Sequence, residues 1–160
     1  MVSVYFISQR PSSPRQLTDQ GDAPLDQVVE LFLDPANLAK WQPSLVTFTP
    51  LTSGETNQIG AQSKQLHRMG EREVEMVATI TQMDPPHRFA ATYESGDMWN
   101  EISNLFEEGD KGSSTHWSLT SEMRSTNLMM KAFMLFAPGM FRQQTQDFMG
   151  YFKTFVEESK

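Results

Sequence analysis

NLMMKAFMLFAPGMFRQQTQDFMGYFKTFVEESK, residues 127–160, holds half of the chain's 11 Met and 11 Phe residues in one helical pattern, broken once at Ala137-Pro138-Gly139. From Phe141 the spacing Phe141, Thr145, Phe148, Phe152, Phe155 steps by four and three, with Met149 and Val156 alongside, so one stripe is apolar. Arg142, Gln143, Gln146, Asp147, Lys153 and Glu157 fill the other face, as a helix laid over a core requires. Leu128 to Ala137 is apolar at every position except Lys131, so that half has to be covered by protein, ligand, lipid or a partner. Pro138 lacks an amide hydrogen and clashes with the preceding turn, which predicts a kink between the two halves.

Upstream of this segment the chain reads as strands that need something to wrap around. A first strand falls near Val2 to Ser8, and residues 10 to 24, with three prolines and Gly21, read as an irregular loop. Pro24 suits the first position of a helix whose apolar face is Val28, Val29, Leu31, Phe32 and Leu33, ending before Pro35. A second short helix, Ala36 to Lys40, delivers Trp41. Strands then follow at Leu45 to Leu51 and Ile59 to Met69. With Met69-Gly70 as a two-residue hairpin loop, Arg68 faces Glu71, Leu66 faces Glu73 and Lys64 faces Glu75, while Val74, Met76, Ala78 and Ile80 point to the core. Asp84-Pro85-Pro86 ends that strand, since proline cannot donate to the ladder. Ser95-Gly96 as a second hairpin loop sets Tyr93 opposite Met98, Ala91 opposite Asn100 and Phe89 opposite Ile102. A last strand runs from Ser114 to Met123 after the Gly109 to Gly112 loop.

The sum is an α+β chain: a curved antiparallel sheet of about seven strands, two short helices between strands 1 and 2, and a long C-terminal helix across one face. Its 160 residues suit a single domain. A formal net charge of −7 argues against nucleic acid, whose binding rests on Lys and Arg displacing counterions. The absence of cysteine excludes disulfides, thiolate metal sites and Cys nucleophiles and fits a reducing, cytoplasmic setting. Val2 to Ile7 is too short for a signal-peptide core, and Leu128 to Ala137 falls far short of a membrane span.

The run APLDQVVELFLDPANLAKWQP, Ala23 to Pro43, resembles the opening of the START-like superfamily, also called SRPBCC, which includes polyketide cyclases, Bet v 1 allergens and aromatic-ring hydroxylase large-subunit domains. DPPHRF, Asp84 to Phe89, resembles the turn between that superfamily's fourth and fifth strands, and the terminal amphipathic helix completes its helix-grip pattern. That superfamily's first strand runs almost directly into its Pro-led helix, so the resemblance offers Arg15 to Gln20 as the alternative first strand. The resemblance spans Ala23 to Glu158 and implies a cavity for a small hydrophobic molecule, such as a lipid, isoprenoid or polyketide-like compound, between sheet and terminal helix. It also implies two alternatives: a cyclase or dehydratase, and an interaction module akin to activators of the Hsp90 ATPase, for which Leu128 to Ala137 could be a partner or homodimer surface.

No nucleophile triad, phosphate loop or dinucleotide fingerprint occurs, so no catalytic residue and no cofactor is assigned. His67, His87 and His116 share no metal-ligand spacing and read as exposed polar positions. Glu71, Glu73 and Glu75 share one strand face with Lys64 and Arg68 across from them, which reads as a solvated, salt-laced surface rather than a metal site. Asn100 and Asn104 lie on the concave face, where each amide must find a structural partner or a ligand. Trp99 reads as outward and Trp117 as inward with Leu119. The candidate ligand-binding set is Trp41, Met76, Tyr93, Asn100, Asn104, Trp117, Met130, Phe133, Met134 and Phe141. The methionines enter it because an unbranched thioether repacks around different shapes.

Overall fold

In the computed structural model, residues 4–7, 23–109, 112–136 and 138–159 are described. Strand β1 (Val4–Ile7) is followed by helix α1 (Leu25–Leu33), a 3-10 turn (Pro35–Asn37) and helix α2 (Leu38–Trp41). Strands β2 (Leu45–Pro50), β3 (Gln62–Met69), β4 (Arg72–Asp84), β5 (Arg88–Ser95), β6 (Met98–Glu108) and β7 (Thr115–Ser125) come next, then helices α3 (Leu128–Phe136) and α4 (Pro138–Glu158). The strands form one antiparallel sheet in the order β1-β7-β6-β5-β4-β3-β2. β1 lies antiparallel to β7 with Val4 beside Met123, and the alternative first strand at 15–20 lies outside the described residues.

Local chemistry sets the entry to the sheet. Pro24 sits one residue before the helix, as its N-cap, and its carbonyl accepts from the Val28 amide at 3.1 Å. Asp34 ends α1, and its Oδ1 accepts from the Ala36 amide at 2.9 Å, which starts the 3-10 turn and swings Trp41 inward. The buried Thr115 hydroxyl donates to the Ala23 carbonyl at 3.1 Å, tying the start of α1 to β7.

Both hairpins differ from the sequence reading by one loop residue. The loops are Gly70-Glu71 and Gly96-Asp97, so Arg68 pairs with Glu73, His67 with Val74, Tyr93 with Asn100 and Ser95 with Met98. Glycine takes the first loop position because the backbone there turns to φ +64 at Gly70 and +53 at Gly96, a region that side chains with a Cβ disfavour. Moving the turn by one residue shifts each pairing by two, so every side chain keeps its face. Lys64–Glu75 at 2.8 Å and Arg68–Glu73 at 3.0 Å form on the exposed face as half-exposed ion pairs. Trp99 lies on that outer face too, beneath the Arg124 guanidinium at 4.4 Å.

Two interruptions bend the sheet, one between Leu45 and Thr47 in β2 and one between Ile80 and Gln82 in β4. α4 crosses the concave side with Phe152 and Val156 fully buried and Phe148, Met149 and Phe155 packed beside them, the stripe that the four-and-three spacing demands. At the centre, the Phe32 ring lies 5.1–5.6 Å from the rings of Trp41, Phe89, Phe106, Trp117 and Phe152. The expected outcome of Phe152→Ala is a loss of about 3–5 kcal/mol in urea unfolding, because a buried aromatic leaves a cavity its neighbours cannot fill. The neighbouring Tyr151→Ala, at a half-exposed position, should lose less than about 1 kcal/mol.

Candidate functional site

Residue size divides the concave face in two. β6 and β7 present Phe106, Trp117 and Leu119, which meet α1 and α4 and leave no room. β4 and β5 present Ala78 and Ala91, and the missing side-chain volume opens a cavity of about 90 Å³ below α2 and the middle of α4. Its apolar walls are Phe32, Leu38, Trp41, Phe48, Ile80, Phe89, Ile102 and Phe148, and the exposed Pro50, Asn57 and Gln62 stand at its rim. One ordered water needs roughly 10–15 Å³ and a drug-sized ligand roughly 300–1,000 Å³, so this volume suits one or two rings or a short chain.

Among the described residues, no charged side chain lines the cavity. The polar lining is instead divided between groups that are already paired and groups that are not. The Asn104 amide donates to the Phe89 carbonyl at 3.3 Å, and its Oδ1 accepts from the Trp117 indole at 2.9 Å. Gln65 donates to the Ser63 hydroxyl at 3.2 Å, and its Oε1 lies 3.1 Å from His67 Nε2. His67 Nδ1 lies 3.1 Å from the Ser44 hydroxyl, completing a chain Ser44–His67–Gln65–Ser63 that runs along β3 into the cavity wall. Since the Gln65 carbonyl oxygen only accepts, His67 carries its proton on Nε2 and accepts from Ser44 at Nδ1. Among the described residues, the buried Trp41 indole N–H has no hydrogen-bond partner, and Tyr93 belongs to the cavity lining. Desolvation pushes the Tyr93 pKa up to about 12, so the hydroxyl keeps its proton at neutral pH and acts as a donor.

A family model described as polyketide cyclase/dehydrase and lipid transport matches residues 18–157. The chain belongs to this family. None of the curated proteins matches the sequence. Among solved structures, a protein from Thermus thermophilus superposes with a TM-score of 0.69 at 13% identity, covering 99% of this chain and 97% of the other. A conserved protein from Geobacillus kaustophilus gives 0.68 at 13% identity, with 98% and 93% covered. Ara h 8.0201 gives 0.67 at 10% identity, with 98% and 99% covered. At such identities these likenesses concern the fold, and the helix-grip architecture of the START-like superfamily is what they share with this chain.

Within this polyketide cyclase/dehydrase and lipid transport family member, Trp41, Tyr93 and Asn104 line the cavity. Asn100 lies further along the same face, its Oδ1 accepting from the Ser121 hydroxyl at 2.8 Å, and Met76 lies beside Gln65 on that face. Trp117 is buried behind Asn104, and Met130 is half-buried on α3, away from the lining. The side chains of Phe133, Met134 and Phe141 lie outside the described residues.

The histidines need correction. His87 is exposed, but His67 is buried, at 8% exposure, and His116 is half-buried with an unpartnered Nδ1. His67 shares its face with Val74 and Met76 of β4, and that pairing parity was the available signal for its burial and for the inward Gln65 and Ser63. Among the described residues, no group of three His, Asp or Glu is placed to hold a metal ion, and no helix is long and apolar enough to cross a membrane.

Burial lowers the His67 pKa below its ordinary 6.5. Because the unfolded chain then binds the proton more tightly than the folded one, the stability from keeping His67 neutral is present above pH 6.5 and is lost as pH falls through the folded value. Urea midpoints measured against pH should decline below 6.5 in the wild type and decline less in His67→Gln.

Proposed function

We propose that this protein binds and carries a small, neutral, hydrophobic molecule bearing a hydrogen-bond acceptor, of the size of a bicyclic ketone or a short isoprenoid or polyketide-like fragment. The observation that carries the reading is the alanine-opened hollow, apolar in its walls, free of charged groups in its described lining and carrying the protonated Tyr93 hydroxyl in that lining. The family's description, polyketide cyclase/dehydrase and lipid transport, supports a hydrophobic ligand in general. The finer choice comes from chemistry. A fatty-acid carboxylate or a phosphate would enter a low-dielectric space with no cation to pair with, whereas a carbonyl oxygen needs only a donor, which the Tyr93 hydroxyl can provide.

Carriage is favoured over catalysis by the state of the one titratable group in the described lining. Tyr93, with its pKa near 12, donates a hydrogen bond but does not abstract a proton at neutral pH, and His67 stands behind Gln65 rather than in the wall. A cyclase or dehydratase needs a general base within reach of the substrate. The ligand-contacting residues in this reading are Trp41, Tyr93, Asn104, Phe89 and Phe148, with Gln65 shaping the polar end.

Calorimetric titration with a bicyclic ketone and its carboxylate analogue tests the proposal. The ketone should bind and the carboxylate should bind at least about tenfold more weakly, since an unpaired buried charge is penalised far more than a hydrogen-bonded carbonyl. Ala78→Phe fills the hollow and should abolish ketone binding at a stability loss of about 1–3 kcal/mol. Tyr93→Phe should weaken it by about three- to tenfold, the worth of one hydrogen bond. Undiminished binding to Ala78→Phe would overturn the proposed location.

A further inference from the structure

A second feature lies outside the cavity lining, on α3. Leu128 is 81% exposed, Met129 79% and Phe136 82%, and Met140 in the first turn of α4 is 61% exposed. Leu128, Ala132 and Phe136 follow one another at intervals of four, and Met129 lies within about 100° of Leu128 around the axis, so these exposed residues share one face. Met130 is half-buried and turns toward the opposite side. Asn127 Oδ1 caps α3 by accepting from the amides of Met129 at 2.9 Å and Met130 at 3.2 Å.

The region also lacks acidic side chains. Residues 125–146 contain two of the chain's 13 basic residues, Lys131 and Arg142, and none of its 20 acidic ones. Lys131 flanks the exposed apolar face and Arg142 is exposed one turn into α4. A chain with a net charge of −7 thus gathers exposed Leu, Met and Phe side chains in a segment that is locally positive. Contiguous apolar exposure of this kind marks a contact surface.

We propose that the exposed face of α3, continued by Met140, docks on an anionic lipid surface, with Leu128, Met129, Phe136 and Met140 entering the headgroup boundary and Lys131 and Arg142 meeting lipid phosphates. A short apolar helix flanked by cations lies in the interface plane, where the bilayer takes up its apolar side chains and long basic side chains reach back to the headgroups. The surface stands independently of what the cavity holds.

Sedimentation of the full chain with vesicles of phosphatidylcholine alone, or of phosphatidylcholine mixed with phosphatidylglycerol, tests it. The protein should pellet with the anionic vesicles on the order of tenfold more tightly than with the neutral ones, and added salt should reduce the difference. Replacing both Met129 and Phe136 by Asp should reduce vesicle binding at least about tenfold while the far-ultraviolet spectrum stays that of the wild type. Because the chain has no cysteine, Phe136→Cys gives a single labelling position, with Glu55→Cys as a control on a different exposed loop. An environment-sensitive dye at position 136 should blue-shift on anionic vesicles and the dye at 55 should not. Absence of both pelleting and dye shift overturns the proposal. So does a dimer seen by light scattering that protects position 136 without any vesicle binding.

Discussion

The Phe32 ring is the contact on which the architecture depends. It is delivered by a short helix whose end is set by Asp34, and it meets aromatic rings from the short-helix segment, β5, β6, β7 and α4 within 5.1–5.6 Å. Edge-to-face contacts dominate this cluster, with interplanar angles of 65–83° toward Phe89, Phe106, Trp117 and Phe152. Such contacts hold ring positions as well as burying apolar area. A curved sheet with one helix across it has to be filled or left hollow, and this cluster fills one end firmly enough to leave the other open. The cavity exists because β4 and β5 present alanine at the depth where β6 and β7 present phenylalanine and tryptophan.

The polar lining follows from the same division. At the edge of the packed end, Asn104 bonds Trp117 and the Phe89 carbonyl, so it marks the boundary between core and cavity. Along β3, Ser44, His67, Gln65 and Ser63 satisfy one another, which keeps a wall of polar residues stable without charge. The Trp41 indole N–H is buried without a partner, and the Tyr93 hydroxyl belongs to the lining. Family membership fits such a container.

Much of this is legible in residue spacing. The stripe Phe148, Phe152 and Phe155 with Val156 has the period of a helix, and Phe152 and Val156 are fully buried as that period requires. The hairpins are legible from glycine, but their loops lie one residue later, because glycine occupies the first loop position, where φ is positive, rather than the second. Faces survive that displacement because it moves pairings in twos. The polarity of His67 suggests exposure and misleads, although its parity with Val74 and Met76 marks it as inward. A hollow between sheet and terminal helix is implied by the resemblance, but its place over Ala78 and Ala91 is not legible, since an alanine in a strand says nothing of what stands opposite until the helix crossing is known. Trp41, Tyr93 and Asn104 stand out as large or polar groups on inward-facing positions, whereas Gln65 and Ser63 require the β3 register.

The central claim is that the molecule has a rigid aromatic half and a receptive half separated at Phe32. Methyl-resolved nuclear magnetic resonance during titration with a neutral bicyclic ketone tests it most directly. The methyl groups of Ala78, Ala91, Ile80 and Ile102, which line the cavity, should shift in a saturable manner, while those of Val28 and Val156, sealed in the core, should stay in place. Shifts centred on Val28 and Val156, or saturable binding that leaves the alanine methyls unmoved, would contradict the account.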